Sequence, residues 1–470
     1  MLRRLSTGWL LIALAVFSIG STHAGEWNAW PFTVRMQADD AGRPKQTDFL
    51  GPIGSLREFD SHEVFSLRPA YTRFEGEKRS TQWHLLYPFF NFYEHERGYH
   101  WHSLNLISGG SSQDGEVRDF DVFPFVFYRN APRAEDSYVA VWPLGGTLKN
   151  RLFRDRIDFT AWPLFVRSQR GEEVRHHTPY PFIQRLSGPE SRGFAIWPIY
   201  GQFERDNHYR RTWLLWPFLY HYEDRLDQEV PYVRSGFWPI YTQETAEGLE
   251  SATFGWPFFG YTREYDPRPV YSEARLLWPF WIQGRGEERY VNRVLPFFAH
   301  ETAPGFQKNW YIWPLLRVES EEFANMTTRT DSFFFFLYRG KTHEMEDRTA
   351  RSNSLWPLYG YWYDGEANRQ FQLIDPFTVF FSSNEVVREN WSPLFAVYRF
   401  DRRGESRRHS LLWNLLVYQS EEGETERFQL GPLFDYRSED EESRWQILGG
   451  LFGIRKTDEG RRLRLFWKDL

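Results

Sequence analysis

The chain has 470 residues, and its 57 Lys and Arg against 63 Asp and Glu give a formal net charge of -6 at pH 7. This acidic balance argues against general nucleic-acid binding. The lack of cysteine excludes disulfides, thiolate metal sites and a cysteine nucleophile. The 19% aromatic content favours half-buried β-strands.

Residues 1–24 have the pattern of an export signal. Arg3 and Arg4 form a short basic region, the stretch from Trp9 to Phe17 is apolar, and Thr22-His23-Ala24 offers small residues for cleavage. The apolar stretch is shorter than the roughly 20 residues that a membrane-spanning helix needs. We therefore predict that the mature chain is exported.

Residues 25–70 predict a lead-in or capping segment. Trp30-Pro31-Phe32 and Gly51-Pro52-Ile53 echo the repeat that follows, but the stretch from Gln37 to Gln46 is polar and irregular. Repeat arrays need segments of this kind at their ends.

Residues 71–470 carry a repeat in which a Trp-Pro pair precedes large apolar residues. Its period of roughly 19 residues marks one supersecondary unit that is used many times. We interpret the pairs as structural rather than as a ligand site. The complete pairs are Trp142-Pro143, Trp162-Pro163, Trp197-Pro198, Trp216-Pro217, Trp238-Pro239, Trp256-Pro257, Trp278-Pro279, Trp313-Pro314 and Trp356-Pro357.

The residues between the pairs alternate with a period of two. One face of a strand in the C-terminal third would present Phe428, Leu430, Pro432, Phe434 and Tyr436. Charged turns with glycine, such as Asp401 to Gly404, separate these stretches. We predict an all-β, antiparallel up-and-down meander of about 20 strands, each of about 12 residues, closed as a large β-barrel.

Proline within such strands requires a systematic bend, because it cannot donate a hydrogen bond to a β-ladder. The proline could lie at a bulge that bends every strand at the same height. Alternatively, the Trp-Pro step is itself a corner, and each unit is a short hairpin with a return. The sequence leaves both explanations open.

Motifs for chemistry are weak. His95 and His100 are five positions apart, not four as in a zinc-protease helix. His100 and His102 would share a strand face but lack a clear third ligand. The adjacent His176 and His177 should point to opposite faces. We predict a non-enzymatic protein with no catalytic, cofactor or metal site.

Two residue classes have two interpretations each. The abundant arginines could recognise phosphate or carboxylate groups, or form ordinary ion pairs, and we expect ion pairs. The repeated tryptophans could stack on sugar rings, or serve as core or membrane-girdle residues, and we expect core or girdle positions.

The export signal, alternating strands, charged turns and abundant Trp and Tyr together resemble the outer-membrane β-barrel proteins of Gram-negative bacteria. The last strand, Leu463 to Trp467, alternates as a closing barrel strand would, although the chain ends on Leu470 rather than an aromatic residue. Two runs, Leu214 to Tyr220 and Phe333 to Tyr338, are apolar on both faces, whereas a wide barrel has a polar interior.

The resemblance implies an outer-membrane location, with outer-membrane lipid or lipopolysaccharide as partner and a structural, transport or envelope-surface role. The alternative is a soluble periplasmic or cell-surface β-repeat protein that binds polysaccharide or another envelope component. Neither alternative has a nucleic acid as partner.

Overall fold

A computed structural model describes residues 26–38, 44–76, 80–381, 384–421, 425–439, 442–457, 460–465 and 468–469. The predicted export signal lies outside these residues. The described residues divide into two compact units. Unit 1 comprises 26–76, 367–377 and 384–469, and unit 2 comprises 80–366 and 378–381. No helix in the described ranges is long and apolar enough to cross a membrane.

Unit 1 combines strands from both ends of the chain with short helices. Its helices are α1 (Glu385–Asn390), α2 (Ser392–Phe395) and a 3-10 turn at Leu448–Gly450. Its strands are β1 (Trp27–Ala29), β2 (Thr33–Met36), β3 (Lys45–Phe49), β4 (Gly54–Glu58), β5 (His62–Leu67), β6 (Tyr71–Gly76), β37 (Arg369–Leu373), β38 (Tyr398–Arg403), β39 (Ser406–Leu411), β40 (Leu416–Glu421), β41 (Thr425–Leu430), β42 (Phe434–Glu439), β43 (Glu442–Ile447), β44 (Phe452–Thr457), β45 (Gly460–Leu465) and β46 (Lys468–Asp469).

Unit 2 is an antiparallel meander in which consecutive strands pair. Its strands are β7 (Thr81–Leu85), β8 (Phe90–His95), β9 (Gly98–Ser103), β10 (Ile107–Ser112), β11 (Arg118–Val122), β12 (Val126–Asn130), β13 (Tyr138–Val141), β14 (Gly145–Arg151), β15 (Arg154–Thr160), β16 (Phe165–Arg170), β17 (Glu173–His177), β18 (Ile183–Ser187), β19 (Ser191–Ile196), β20 (Tyr200–Arg205), β21 (Tyr209–Leu214), β22 (Leu219–Asp224), β23 (Tyr232–Phe237), β24 (Tyr241–Ala246), β25 (Leu249–Phe254), β26 (Phe259–Glu264), β27 (Tyr271–Leu276), β28 (Trp281–Gly286), β29 (Tyr290–Val294), β30 (Phe298–Ala303), β31 (Phe306–Tyr311), β32 (Leu316–Phe323), β33 (Met326–Phe333), β34 (Tyr338–Met345), β35 (Thr349–Leu355) and β36 (Tyr359–Tyr363).

The predicted all-β antiparallel meander is confirmed, but the predicted number and length of the strands are wrong. The described residues form 46 strands, most of them of five or six residues. The difference arises at the proline step, which is a corner and not a bulge. Each expected strand is therefore a hairpin of two short strands. The strand expected around Pro432 is in fact two strands, β41 and β42, which pair with each other. Leu430 lies opposite Phe434 in the pair nearest the turn. The apolar runs at Leu214 and Phe333 are likewise centred on turns.

No strand pairing among the described residues closes the sheet into a barrel. The first strand, β1, pairs with β2, and the last, β46, pairs with β45. A closed barrel would instead pair its first and last strands.

The sheet of unit 2 has small apolar clusters and many Arg contacts. One cluster joins Tyr138, Ala140, Leu148 and Phe159. Ion pairs cross neighbouring strands, as where Arg211 and Arg234 contact Asp224 at 2.6 and 3.1 Å. Guanidinium groups also lie over rings, as Arg285 does 4.2 Å from the centre of Tyr290. These contacts confirm the expected ion pairing for many arginines.

Candidate functional site: the Trp-Pro edge

Unit 2 gathers its Trp-Pro pairs on one edge of the sheet. Strands alternate in direction along a meander, so every second turn lies on the same edge. We call the edge that follows the odd-numbered strands the Trp-Pro edge, and it contains all nine complete Trp-Pro pairs of unit 2. Its turns are 86–89, 104–106, 123–125, 142–144, 161–164, 178–182, 197–199, 215–218, 238–240, 255–258, 277–280, 295–297, 312–315, 334–337 and 356–358.

The two edges of unit 2 differ sharply in polarity. No turn of the Trp-Pro edge contains Asp, Glu, Lys, Arg or His in these described ranges. The turns on the opposite edge are rich in charge, as at 225–231, 265–270 and 287–289. The sheet is therefore amphipathic along the direction of its strands, from one edge to the other.

The Trp-Pro turns are of two sizes, and the size sets the exposure of the tryptophan. Trp142, Trp197, Trp238 and Trp356 begin three-residue turns and are half-buried. The tryptophans of four-residue turns are exposed, namely Trp162 (38%), Trp216 (43%), Trp256 (50%), Trp278 (43%) and Trp313 (45%). Of the two expected positions, core or girdle, the exposure of this second group does not fit the core, and the girdle position stays a prediction.

That extra residue has a left-handed backbone in each four-residue turn with a Trp-Pro pair. It precedes the tryptophan and is Ala161, Leu215, Gly255, Leu277 or Ile312, with φ between 45° and 54°. Only glycine adopts this conformation readily. Sequence reasoning missed the two sizes, although Gly255 before Trp256 is a signal of the longer turn.

Proline is tolerated because its carbonyl, not its missing N–H, takes part in the ladder. The Trp216 N–H donates to the carbonyl of Pro198 at 2.6 Å, and the Trp256 N–H donates to that of Pro239 at 2.7 Å. The hydrogen-bond ladder thus continues from the strands into the turns, and it fixes each turn against the preceding one.

Side chains of the Trp-Pro edge contact one another but leave much apolar surface open. The ring centres of Trp142 and Trp162 are 5.2 Å apart, and those of Trp238 and Trp256 are 5.7 Å apart. The residue after proline is highly exposed in several turns, as Leu144 (72%) and Phe297 (70%) are. The edge is a long row of exposed apolar side chains, and Phe380 packs on its last two turns, with its ring centre 5.2 Å from that of Phe336 and 6.5 Å from that of Trp356.

The histidines singled out in the sequence do not form a common site. Asn91 lies between His84 and His102, at 2.7 and 3.0 Å from their ring nitrogens. His177 is buried and His176 is exposed, as predicted for adjacent strand residues. In the described part of the chain, no group of three His, Asp or Glu is placed to hold a metal ion.

Comparison with known proteins gives no relative. No family model matches the chain, and no curated protein matches its sequence.

Proposed function

We propose that the protein is an exported, non-enzymatic protein of the Gram-negative envelope that lies on the outer membrane with its Trp-Pro edge inserted into one leaflet. Its role is structural or at the envelope surface. The observation that carries this proposal is the row of exposed, uncharged, aromatic turns along one edge of unit 2. Trp is enriched where a protein meets the membrane interface.

The depth of the apolar band fits insertion into a single leaflet. On either side of the 215–218 turn, the first clearly polar residues are Thr212 and His221, which pair across β21 and β22. At about 3.3 Å per residue, the apolar band is about 10 Å deep. Amphipathic elements that lie in the interface are buried by about 5 to 10 Å.

The short strands favour lying on the bilayer over spanning it. Most strands have five or six residues, as β21 and β22 do with six each. A strand that crosses the hydrocarbon core of about 30 Å needs about 9 to 11 residues. We therefore prefer surface attachment to the membrane-spanning barrel that the sequence suggested.

Lipid suits the Trp-Pro edge better than polysaccharide does. Sugar recognition needs polar groups beside an aromatic face, because each buried hydroxyl requires a hydrogen bond. Apart from the indole N–H groups and the hydroxyls of Tyr87 and Tyr180, the turns of this edge offer few side-chain polar groups, among them Asn105 and Thr178, and no charged ones. Transfer of each exposed Leu, Ile or Phe into lipid contributes about 1.5 to 3 kcal/mol.

The test is flotation of the mature protein with vesicles of phosphatidylethanolamine and phosphatidylglycerol. The parent should float with the vesicles. The triple variant Leu144→Glu, Ile240→Glu, Phe297→Glu should stay at the bottom, because these side chains are 72, 58 and 70% exposed on the edge. Tryptophan fluorescence of the bound parent should be quenched by shallowly brominated lipids.

The opposite edge provides a matched control. Phe153 is 96% exposed in the turn between β14 and β15. The variant Phe153→Glu should bind vesicles as the parent does. Equal loss of binding in this variant, or a parent that forms a discrete dimer and ignores vesicles, would reject the lipid assignment. Added lipopolysaccharide in the vesicles then shows whether it is preferred to phospholipid.

A further inference from the structure

Unit 1 contains a cleft of about 520 Å³ that is separate from the Trp-Pro edge. Residues from both ends of the chain line it, and hydrogen bonds between them hold the two parts together. The Asn414 side-chain amide donates to Asp48 at 2.9 Å, and that of Asn28 donates to the Asn414 carbonyl at 2.8 Å. The walls come from β2 to β4, from β38 to β42 and from the segments beside these strands.

The cleft is unusually rich in arginine. Guanidinium groups outnumber the four carboxylates among its described lining residues. The carboxylates are Glu26, Asp48, Asp401 and Glu421. The arginines are Arg57, Arg68, Arg399, Arg403, Arg408, Arg427 and Arg437. Three of these arginines also pair with carboxylates outside the lining, namely Arg57 with Glu389, Arg427 with Asp435 and Arg437 with Glu439.

Arg68 carries a buried charge that no carboxylate contacts. Its side chain donates to the Glu389 carbonyl at 2.6 Å, to the Pro52 carbonyl at 3.1 Å and to Ser55 Oγ at 2.8 Å. It is 6% exposed, and it forms no ion pair within the described residues. All three acceptors are neutral, and the opposing charge of Asp48 acts on Arg68 without a direct ion pair.

The neighbouring guanidinium groups of Arg57 and Arg399 have carboxylate partners but still repel Arg68 or each other. Arg57 pairs with Glu389, but its Nε is buried without a hydrogen-bond partner in the described part of the chain. Burial, together with the nearby Arg68 and Arg399, lowers the pKa of Arg57 to about 9. Burial raises the pKa of Asp48 above its ordinary value. A bound anion would relieve the effect on Arg57, because a nearby negative charge favours the protonated guanidinium group.

We propose that this cleft binds a phosphorylated saccharide. Planar guanidinium groups match phosphate oxygens with two parallel hydrogen bonds, and several arginines around one group favour phosphate over a carboxylate. The amides of Gln46 and Gln419 and the carboxylate of Asp401 line the same space and suit sugar hydroxyls. Phe59 and Trp413 add aromatic surface for a sugar ring.

The ligand chemistry has two sources, a free sugar phosphate or the phosphorylated sugar headgroup of a lipid. Glucose 1-phosphate represents the first in titration calorimetry, and detergent-dispersed lipid A represents the second. Glucuronic acid, with a carboxylate in place of phosphate, is the control ligand. The parent should bind one of the two phosphorylated probes, and glucuronic acid at least tenfold more weakly, about the loss expected for a charge-assisted bond.

Two adjacent arginines of β39 give a matched pair of variants. Arg408 lines the cleft and donates to Gln419 at 3.1 Å and to Asn414 at 3.0 Å. Arg407 is exposed and is not among the lining residues. Arg408→Gln should weaken binding by about tenfold or more, whereas Arg407→Gln should leave it unchanged. Glutamine retains hydrogen bonding at either position, and circular dichroism checks that both variants fold.

The two variants and the control ligand decide the result. Binding of either phosphorylated probe that falls in Arg408→Gln alone supports the proposal and identifies the source. Equal effects of the two variants would mean general surface attraction and would overturn it. So would glucuronic acid binding as tightly as the phosphorylated probes, or no binding of either probe.

Discussion

A buried histidine gives the protein a defined acid sensitivity. His177, at the end of β17, is 7% exposed, and its Nδ1 is buried without a partner among the described residues. Burial, followed by the charges of Arg175 and Arg154, lowers its pKa from 6.5 to about 4. The folded protein therefore holds this ring neutral where the unfolded chain already binds a proton.

We predict that stability falls as the pH drops below about 6.5, because only the unfolded state gains a proton there. The free energy of unfolding should fall by about 2 kcal/mol at about pH 5 because of this group, and its contribution should be almost fully lost near pH 4. Thermal unfolding followed by circular dichroism at a series of pH values measures it. His177→Gln should flatten this dependence, whereas His176→Gln, on the exposed face, should retain it. If both variants behave alike, His177 is not the group responsible.

At the scale of the turn, the left-handed residue before tryptophan should limit stability. Ile312 is β-branched, has φ of 50° and is 60% exposed. Ile312→Gly should raise the unfolding midpoint, since relief of about 1 to 2 kcal/mol exceeds the added entropy of unfolded glycine. Ile240 is equally exposed, at 58%, but lies in a three-residue turn outside the left-handed region. Ile240→Gly should lower the midpoint, and a gain there would refute the backbone explanation.

The turns also explain which parts of the fold could be read from the sequence. Hairpins with glycine were predictable, and Gly404, with φ of 55°, does connect β38 and β39. The Trp-Pro corner was only one of two open explanations, because hydrophobic alternation continues through Leu430 and Phe434 as if the chain were straight. Period two locates strands but does not show where an apolar run reverses direction.

The candidate site was predictable only in part, for a similar reason. The sequence identified every Trp-Pro pair but not their common edge, which depends on each repeat having an even number of strands. The arginine cleft was out of reach, since it joins residues as distant as Asp48 and Asn414. Pattern and spacing along the chain carry no information on such contacts.

For the whole molecule, the even number of strands per repeat is what keeps the two edges of unit 2 different. Pairing between sequence neighbours means that each repeat depends mainly on the next, as in other repeat arrays. Removal of one full repeat should therefore be tolerated, whereas removal of a single strand should move every later Trp-Pro turn to the charged edge.

Deletion of the segment from Trp216 to Phe237 removes one full repeat. It joins Leu215 to Trp238, which recreates a four-residue turn. If β24 then pairs with β21 in the register that β22 has now, Arg211 lies opposite Glu244. This variant should remain soluble and keep the β-sheet circular dichroism and vesicle binding of the parent. Deletion of 219–231, which removes β22 alone, should aggregate or lose vesicle binding, because apolar turns would then lie on both edges. If the two deletions behave alike, the separation of the edges does not govern folding or attachment.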